Sequence, residues 1–240
     1  MRLFVLLYGI ISYLVFLGVF SYFILFVGDI LAPKTVSSGV TENQVYSMLI
    51  NILLLIAWGI QHSVMARNWF KQAIRNIVPS HTERSTYVLI SSIVLAFLML
   101  AWQPMHGVIW DVDNEMGVTA LWVTFGLGWV TIFAATFLTN HFDLFGLRQT
   151  WLHFVKKSYT SLHFTERLIY QWIRHPMMLG ILIAIWSTGT MTMSHFVFSV
   201  GMSVYVLIGI HFEEKSLVKD LGINYEEYQL RTAKLLPKVY

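Results

Sequence analysis

The chain has 240 residues, 56% of them hydrophobic and only 12% charged, where a soluble domain would be about 25% charged. That leaves too little polar sequence to clothe a separate soluble domain, so the whole of 1–240 reads as one membrane domain. A net charge of +3 gives no case for a nucleic-acid partner, and the absence of cysteine excludes a disulfide, a thiolate metal site and a cysteine nucleophile.

The first element is an apolar run from Leu3 to Val27. It is too long for a signal-peptide core and has no small-residue cleavage pattern, so it reads as a retained helix. Further runs at 44–66, 86–102 and 117–139 are close to the ~20 residues that span a bilayer as a helix. The bilayer offers no hydrogen-bond partners to a bare backbone, so these runs are expected to be helical. The apolar stretch Pro176–Phe212 is expected to hold two shorter passes, a tight helical hairpin turning at Thr190, Thr192, Ser194 and His195. The fold class is therefore all-α: a polytopic membrane protein with about six transmembrane helices, a C-terminal hairpin and a tail helix.

Charge tests the count of six. Arg67, Lys71, Arg75 and Arg84 follow the second run. Arg148, Lys156, Lys157, Arg167 and Arg174 follow the fourth. Lys215, Lys219, Arg231, Lys234 and Lys238 follow the last. With six spans these segments and Arg2 share one face, and only Lys34 lies opposite, where Asp111, Asp113 and Glu115 also fall. The positive-inside rule makes the basic face cytosolic. The location is then the cell inner (cytoplasmic) membrane with both termini in the cytosol. Five spans would split the basic clusters.

Three polar motifs interrupt this pattern. In YQWIRHPMMLG, from Tyr170 to Gly180, Pro176 suits the first turn of a helix. That places Arg174 and His175 at the membrane boundary, beside a helix N-terminus that favours anions. In HFEEKSL, His211 and Glu214 are spaced to share a helix face. Two acids near a helix C-terminus are unfavourable with the dipole unless a cation meets them, such as Lys215, Arg231 or a charged ligand. In the tail, Tyr225, Tyr228 and Arg231 form a stripe on one helix, with Glu227 and Arg231 at pairing distance and Leu235, Leu236 and Pro237 set to pack on the membrane surface.

RHPMMLG, a hairpin, EEKSL and then YxxYxxRTxKLLP, together covering about 170–237, resemble the C-terminal half of the isoprenylcysteine carboxyl methyltransferase family. GIQHSVMAR, ERSTYVL and NHFDLFGLRQTW extend the likeness to its bacterial methanethiol S-methyltransferase branch. The resemblance implies an S-adenosylmethionine site in 170–237, closed over by the tail. It gives cofactor roles to Tyr170, Arg174, His175, Pro176, Gly180, Glu213, Glu214, Tyr225, Tyr228 and Arg231. Met178 and Lys234 depart from the family, which often has Tyr and Arg there.

Ionisable groups close to membrane helices are usually functional or paired. In the six-span reading His62, Glu83, Arg84, the Asn140–Arg148 segment, His175 and Glu214 all lie at one face. The implied reaction is methyl transfer to a small thiol, methanethiol giving dimethyl sulfide. A thiol attacks as its thiolate, so a base is needed. His141 is the candidate, oriented by Asp143, with His62 in reserve; Asn140 and Arg148 are placed toward the substrate. Pairing residues two apart requires the fourth helix to end by about His141. Two alternatives stand beside this reading. One is methylation of a prenylated cysteine carboxylate. The other is a non-enzymatic or haem-bearing membrane protein of nitrogen-oxide metabolism.

Overall fold

The structure is a computed structural model that describes residues 1–161, 164 and 166–237, so Lys238 of the basic tail lies outside the described residues. The chain forms two compact units, Met1–His106 with Asn140–Leu162 and Gly107–Thr139 with His163–Tyr240.

The first unit holds α1 (Arg2–Gly28), α2 (Gln44–Met65), the short α3 (Asn68–Ile74) and α4 (Ser80–Ala101), then α6 (His141–Leu144) and α7 (Leu147–Phe154). The long helices coincide with the first three apolar runs. Helix α4 begins ahead of its run because the Pro79 carbonyl accepts from the amides of Thr82 and Glu83, winding the polar residues in. Helix α2 is capped by Asn43, whose side chain accepts from the Tyr46 amide at 3.0 Å. Helix α1 packs on α4 and α7, and α2 on α4. Gly146, at φ +86°, lets the α6–α7 turn press on α4. A Cβ there would stand 2.5 Å from Ser85 Oγ.

The second unit holds β1 (Val108–Asp111), α5 (Glu115–Leu138), a single 3₁₀ turn (Leu168–Gln171), α8 (Pro176–Trp186), β2 (Thr190–Thr192), α9 (Met193–Leu221) and α10 (Ile223–Arg231). Its centre is the pairing of α5 with α8. The two helices meet at Gly128 and Gly180: a Cβ on Gly180 would lie 2.6 Å from the Gly128 carbonyl, and one on Gly128 would lie 2.8 Å from the Gly180 carbonyl. Gly128 also faces Ala184, and Gly180 faces Ile132, so the two helices run antiparallel. Small residues at this crossing let the backbones touch, as in membrane helix pairs generally.

Among the described residues, five helices are long and apolar enough to cross a membrane: α1, α2, α4, α5 and α9. The expected hairpin of two near-equal passes is corrected. Helix α8 has 11 residues and α9 has 29. At ~1.5 Å per residue, α8 covers only ~16 Å. Its N-terminus is fixed by Pro176 and by the amides of Arg174 and His175, which donate to the Ala233 and Lys234 carbonyls instead of winding into the helix. Beyond Trp186 the chain turns into β2, antiparallel to β1. The expected turn residues split accordingly: Thr190 and Thr192 lie in β2, while Ser194 and His195 open α9 and are buried. Even so, the segment from Tyr170 to Thr190 travels back along α5. Tyr170 Oη reaches the Ala135 carbonyl near one end, and Thr188 accepts from Trp110 near the other. Helix α8 is thus a short apolar helix with non-helical ends, packed along α5.

Candidate functional site

Two polar clusters stand out, one in each unit. Helix α5 of the second unit ends at Leu138, as the sequence required, and Asn140, where the first unit resumes, turns the chain at φ +82°. The Asn140 side chain accepts from the Asp143 amide at 3.1 Å and so starts α6. This places His141, 4% exposed, with Nε2 2.7 Å from the Tyr13 hydroxyl of α1. Tyr13 and Phe145 stand around the imidazole at 5.7 and 4.8 Å between ring centres, and Phe16 stacks on Phe145 at 4.0 Å. Burial holds the His141 imidazole below its ordinary pKa.

Asp143 looks elsewhere. Its Oδ1 accepts from Arg148 at 2.8 Å and its Oδ2 from the Tyr159 hydroxyl at 3.2 Å. Arg148 also donates to the Thr160 carbonyl and hydroxyl, and sits over the Tyr159 ring. The group at His141 Nε2 is therefore a phenol, where the sequence reading expected Asp143 to orient the ring. Burial, then the Asp143 charge, raises the Tyr159 pKa.

Near these groups, Arg84 donates to the Leu144 carbonyl at 2.6 Å and Glu83 meets Lys71 at 3.3 Å. His62, on α2, meets the Tyr87 hydroxyl at 2.8 Å and stacks on Trp58.

In the second unit the RHP corner and the tail are bound together by one buried carboxylate. Glu214 Oε1 accepts from Arg174 Nε at 2.7 Å and stands 3.2 Å from His175 Nε2; Oε2 lies 3.4 Å from Lys234. The cations facing the acids are thus Arg174 and Lys234, in place of the Lys215 and Arg231 expected, because the tail folds back to bring 232–234 beside 173–175. Ile173 and Ala233 form a parallel bridge. Arg174 Nη1 donates to the Gln229 carbonyl at 2.9 Å and to that of Thr232. Glu213 Oε2 lies 3.6 Å from His175 Nδ1, with its side chain half exposed. Burial pushes the His175 imidazole down, but Glu213 and Glu214 outweigh it, and its pKa is raised. His211, expected to share the Glu214 face, is exposed.

The aromatic stripe on α10 forms in part. Tyr225 and Tyr228 are buried, with Phe164 against both rings, while Arg231 projects outward to Glu166 at 2.5 Å, displacing the expected Glu227 pairing. Tyr228 donates to the Tyr170 carbonyl at 2.5 Å. Burial raises the pKa of both α10 tyrosines and pushes that of Tyr170 up to about 12. Pro176 takes the first position of α8, as expected, and Gly180 is spent on the contact with Gly128.

Sequence reasoning missed Tyr13, Tyr159 and Glu166, and took Lys234 only as a departure from the family pattern. A signal for the first was present: Tyr8, Ser12, Tyr13, Ser21 and Tyr22 are hydroxyls inside an otherwise apolar run.

A family model described as NnrU protein matches residues 50–235. Tyr13 lies ahead of that match. The methanethiol S-methyltransferase of Mycobacterium tuberculosis is 44% identical over 98% of this chain and 97% of its own length. That of Crocosphaera subtropica is 43% identical over 98% and 92%. A protein of Drosophila melanogaster described as a Nurim homolog is 26% identical over 78% and 74%. No solved structure matches.

Proposed function

The chain belongs to the NnrU family, and from that premise we propose that it is an S-adenosylmethionine-dependent S-methyltransferase that converts methanethiol to dimethyl sulfide. The observation that carries this reading is the near full-length similarity to enzymes bearing the name methanethiol S-methyltransferase. The reading includes the cytoplasmic membrane as location, with both termini cytosolic and one membrane domain over 1–240. The one-sided distribution of Lys and Arg supports it.

The donor chemistry of the RHP corner fits the cofactor's charges. The half-exposed Glu213 carboxylate suits an ammonium group or ribose hydroxyls, Tyr170 offers an aromatic face, and the exposed Arg231 guanidinium would meet a carboxylate by leaving Glu166. Arg174, Glu214, Tyr225 and Tyr228 are taken up by contacts within the protein. Their role is to fix the corner and the tail so that His175, Glu213, Tyr170 and Arg231 keep their positions. Bound there, S-adenosylmethionine supplies an electrophilic methyl group on a sulfonium.

The acceptor must lose its thiol proton, since the thiolate is the nucleophile and a simple thiol has a pKa at or above the ~8.5 of a cysteine side chain. His141 is the base. Its depressed pKa keeps the imidazole neutral at pH 7 and able to accept a proton. His62 is the reserve. Asn140 sets the turn that presents His141, and Arg148 with Asp143 secures the segment that follows.

The test supplies methanethiol and S-adenosylmethionine to membranes containing the full chain and measures dimethyl sulfide by gas chromatography. Production above that of membranes lacking the chain is expected. No production, with no heat of S-adenosylmethionine binding to the detergent-purified protein, would remove the transferase reading.

A further inference from the structure

We propose that Glu166 is an internal competitor for the cofactor's carboxylate, holding Arg231 closed until S-adenosylmethionine displaces it. This rests on the methyltransferase reading and on Arg231 as the partner of that carboxylate.

Phe164 and Glu166 lie along α10 through three side-chain contacts. The Phe164 ring meets those of Tyr225 and Tyr228 at 5.7 and 5.2 Å between centres. Glu166 Oε2 then meets Arg231 Nη2 at 2.5 Å. Two contacts are apolar packing on buried tyrosines, while the third is an ion pair at the surface, its side chains 33% and 59% exposed. An exposed pair contributes little to stability, because water and salt screen it. The packing therefore holds this stretch to α10, and the pair can open without undocking it.

The exchange is carboxylate for carboxylate. A guanidinium offers its donors as a planar fork that matches one carboxylate at a time. The carboxylate of an amino-acid moiety carries the same charge as the Glu166 side chain, so one replaces the other with no net change of charge at Arg231. Placement selects Glu166 for this part. Arg231 ends α10, lies over the Tyr228 ring at 6.0 Å, and turns past Glu227, four residues earlier on the helix, to reach Glu166. The apparent affinity for a ligand falls with the fraction of molecules whose site is open. A closed Arg231 thus loosens S-adenosylmethionine and also its demethylated product, which keeps the same carboxylate. Glu166 gives up some cofactor affinity and speeds product release.

Calorimetry on the detergent-purified full chain measures the Kd of S-adenosylmethionine and of its decarboxylated form. The proteins are wild type, Glu166→Gln, Glu227→Gln, Arg231→Gln and the Glu166→Gln/Arg231→Gln double variant. Glu166→Gln is expected to tighten S-adenosylmethionine about 2- to 5-fold, the range of an exposed ion pair, and to leave the decarboxylated form unchanged. Glu227→Gln removes the same charge from the same helix end and leaves both unchanged. Arg231→Gln weakens S-adenosylmethionine about 10-fold, as loss of a charged hydrogen bond does, and in its background Glu166→Gln has no further effect. Glu166→Asp, its carboxylate withdrawn by one methylene, shifts the Kd in the same direction and stands in if Glu166→Gln does not fold. An unchanged or weaker Kd on changing Glu166 overturns the inference and leaves the transferase reading in place. Equal tightening by Glu227→Gln, or of the decarboxylated form, also overturns it, since that is the mark of general electrostatics. If wild type binds no S-adenosylmethionine, the transferase reading fails and the role of Glu166 goes with it.

Discussion

His141 and His175 are both buried, both next to a turn that starts a helix, and opposite in electrostatics. His141 stands among Tyr13, Phe16 and Phe145, and burial depresses its pKa. His175 stands between Glu213 and Glu214, and its pKa is raised in spite of burial. The difference teaches that burial alone does not decide the charge of a histidine; the partner at the ring nitrogen does. Environments that push two like groups apart are a means of assigning acid and base roles. The imidazole with the lowered pKa suits proton abstraction, and the one with the raised pKa suits holding a carboxylate network together.

The largest effect that would break this comparison is on turnover. His141→Gln is expected to reduce dimethyl sulfide formation by about 10²- to 10⁴-fold, the range for loss of a general base. Arg174→Ala is expected to act in the opposite way, mainly on stability. It leaves Glu214 facing only His175 and Lys234 and frees the Gln229 and Thr232 carbonyls. Breaking a buried pair from one side costs about 3–5 kcal/mol, and limited proteolysis should then release the tail first.

The pH dependence of stability sharpens the contrast. The fold raises the His175 pKa, so its contribution is full below the unfolded value of ~6.5 and is lost as pH rises through the folded value. For His141 the folded value is depressed. Its contribution is present above ~6.5 and is lost as pH falls through the folded value. Melting curves of Glu214→Gln should therefore lose part of the alkaline decline seen in wild type, and those of His141→Gln part of the acid decline. The smallest effect is Tyr228→Phe. It removes the hydroxyl that donates to the Tyr170 carbonyl, and about 1 kcal/mol of stability is expected to go with it.

The sequence by itself determined the membrane class, because apolar runs of spanning length are local and additive. The same holds for Pro176 at a helix start and for the end of α5 before His141. It also brought forward Arg174, His175, Glu213 and Glu214, which form one cluster at the RHP corner. What it misjudged were partners: Arg231 with Glu166 in place of Glu227, Arg174 and Lys234 in place of Lys215, Tyr13 in place of Asp143. Each true partner is tens of residues away or more, and helical spacing ranks only neighbours three or four apart. The length of α8 was equally out of reach. Hydropathy makes 176–212 one apolar stretch, whereas the pairing of β2 with β1 and the return of the tail to residues 173–175 cut the helix at both ends. Tertiary structure alone decided those, because a hydrogen bond between distant strands leaves no period in the chain.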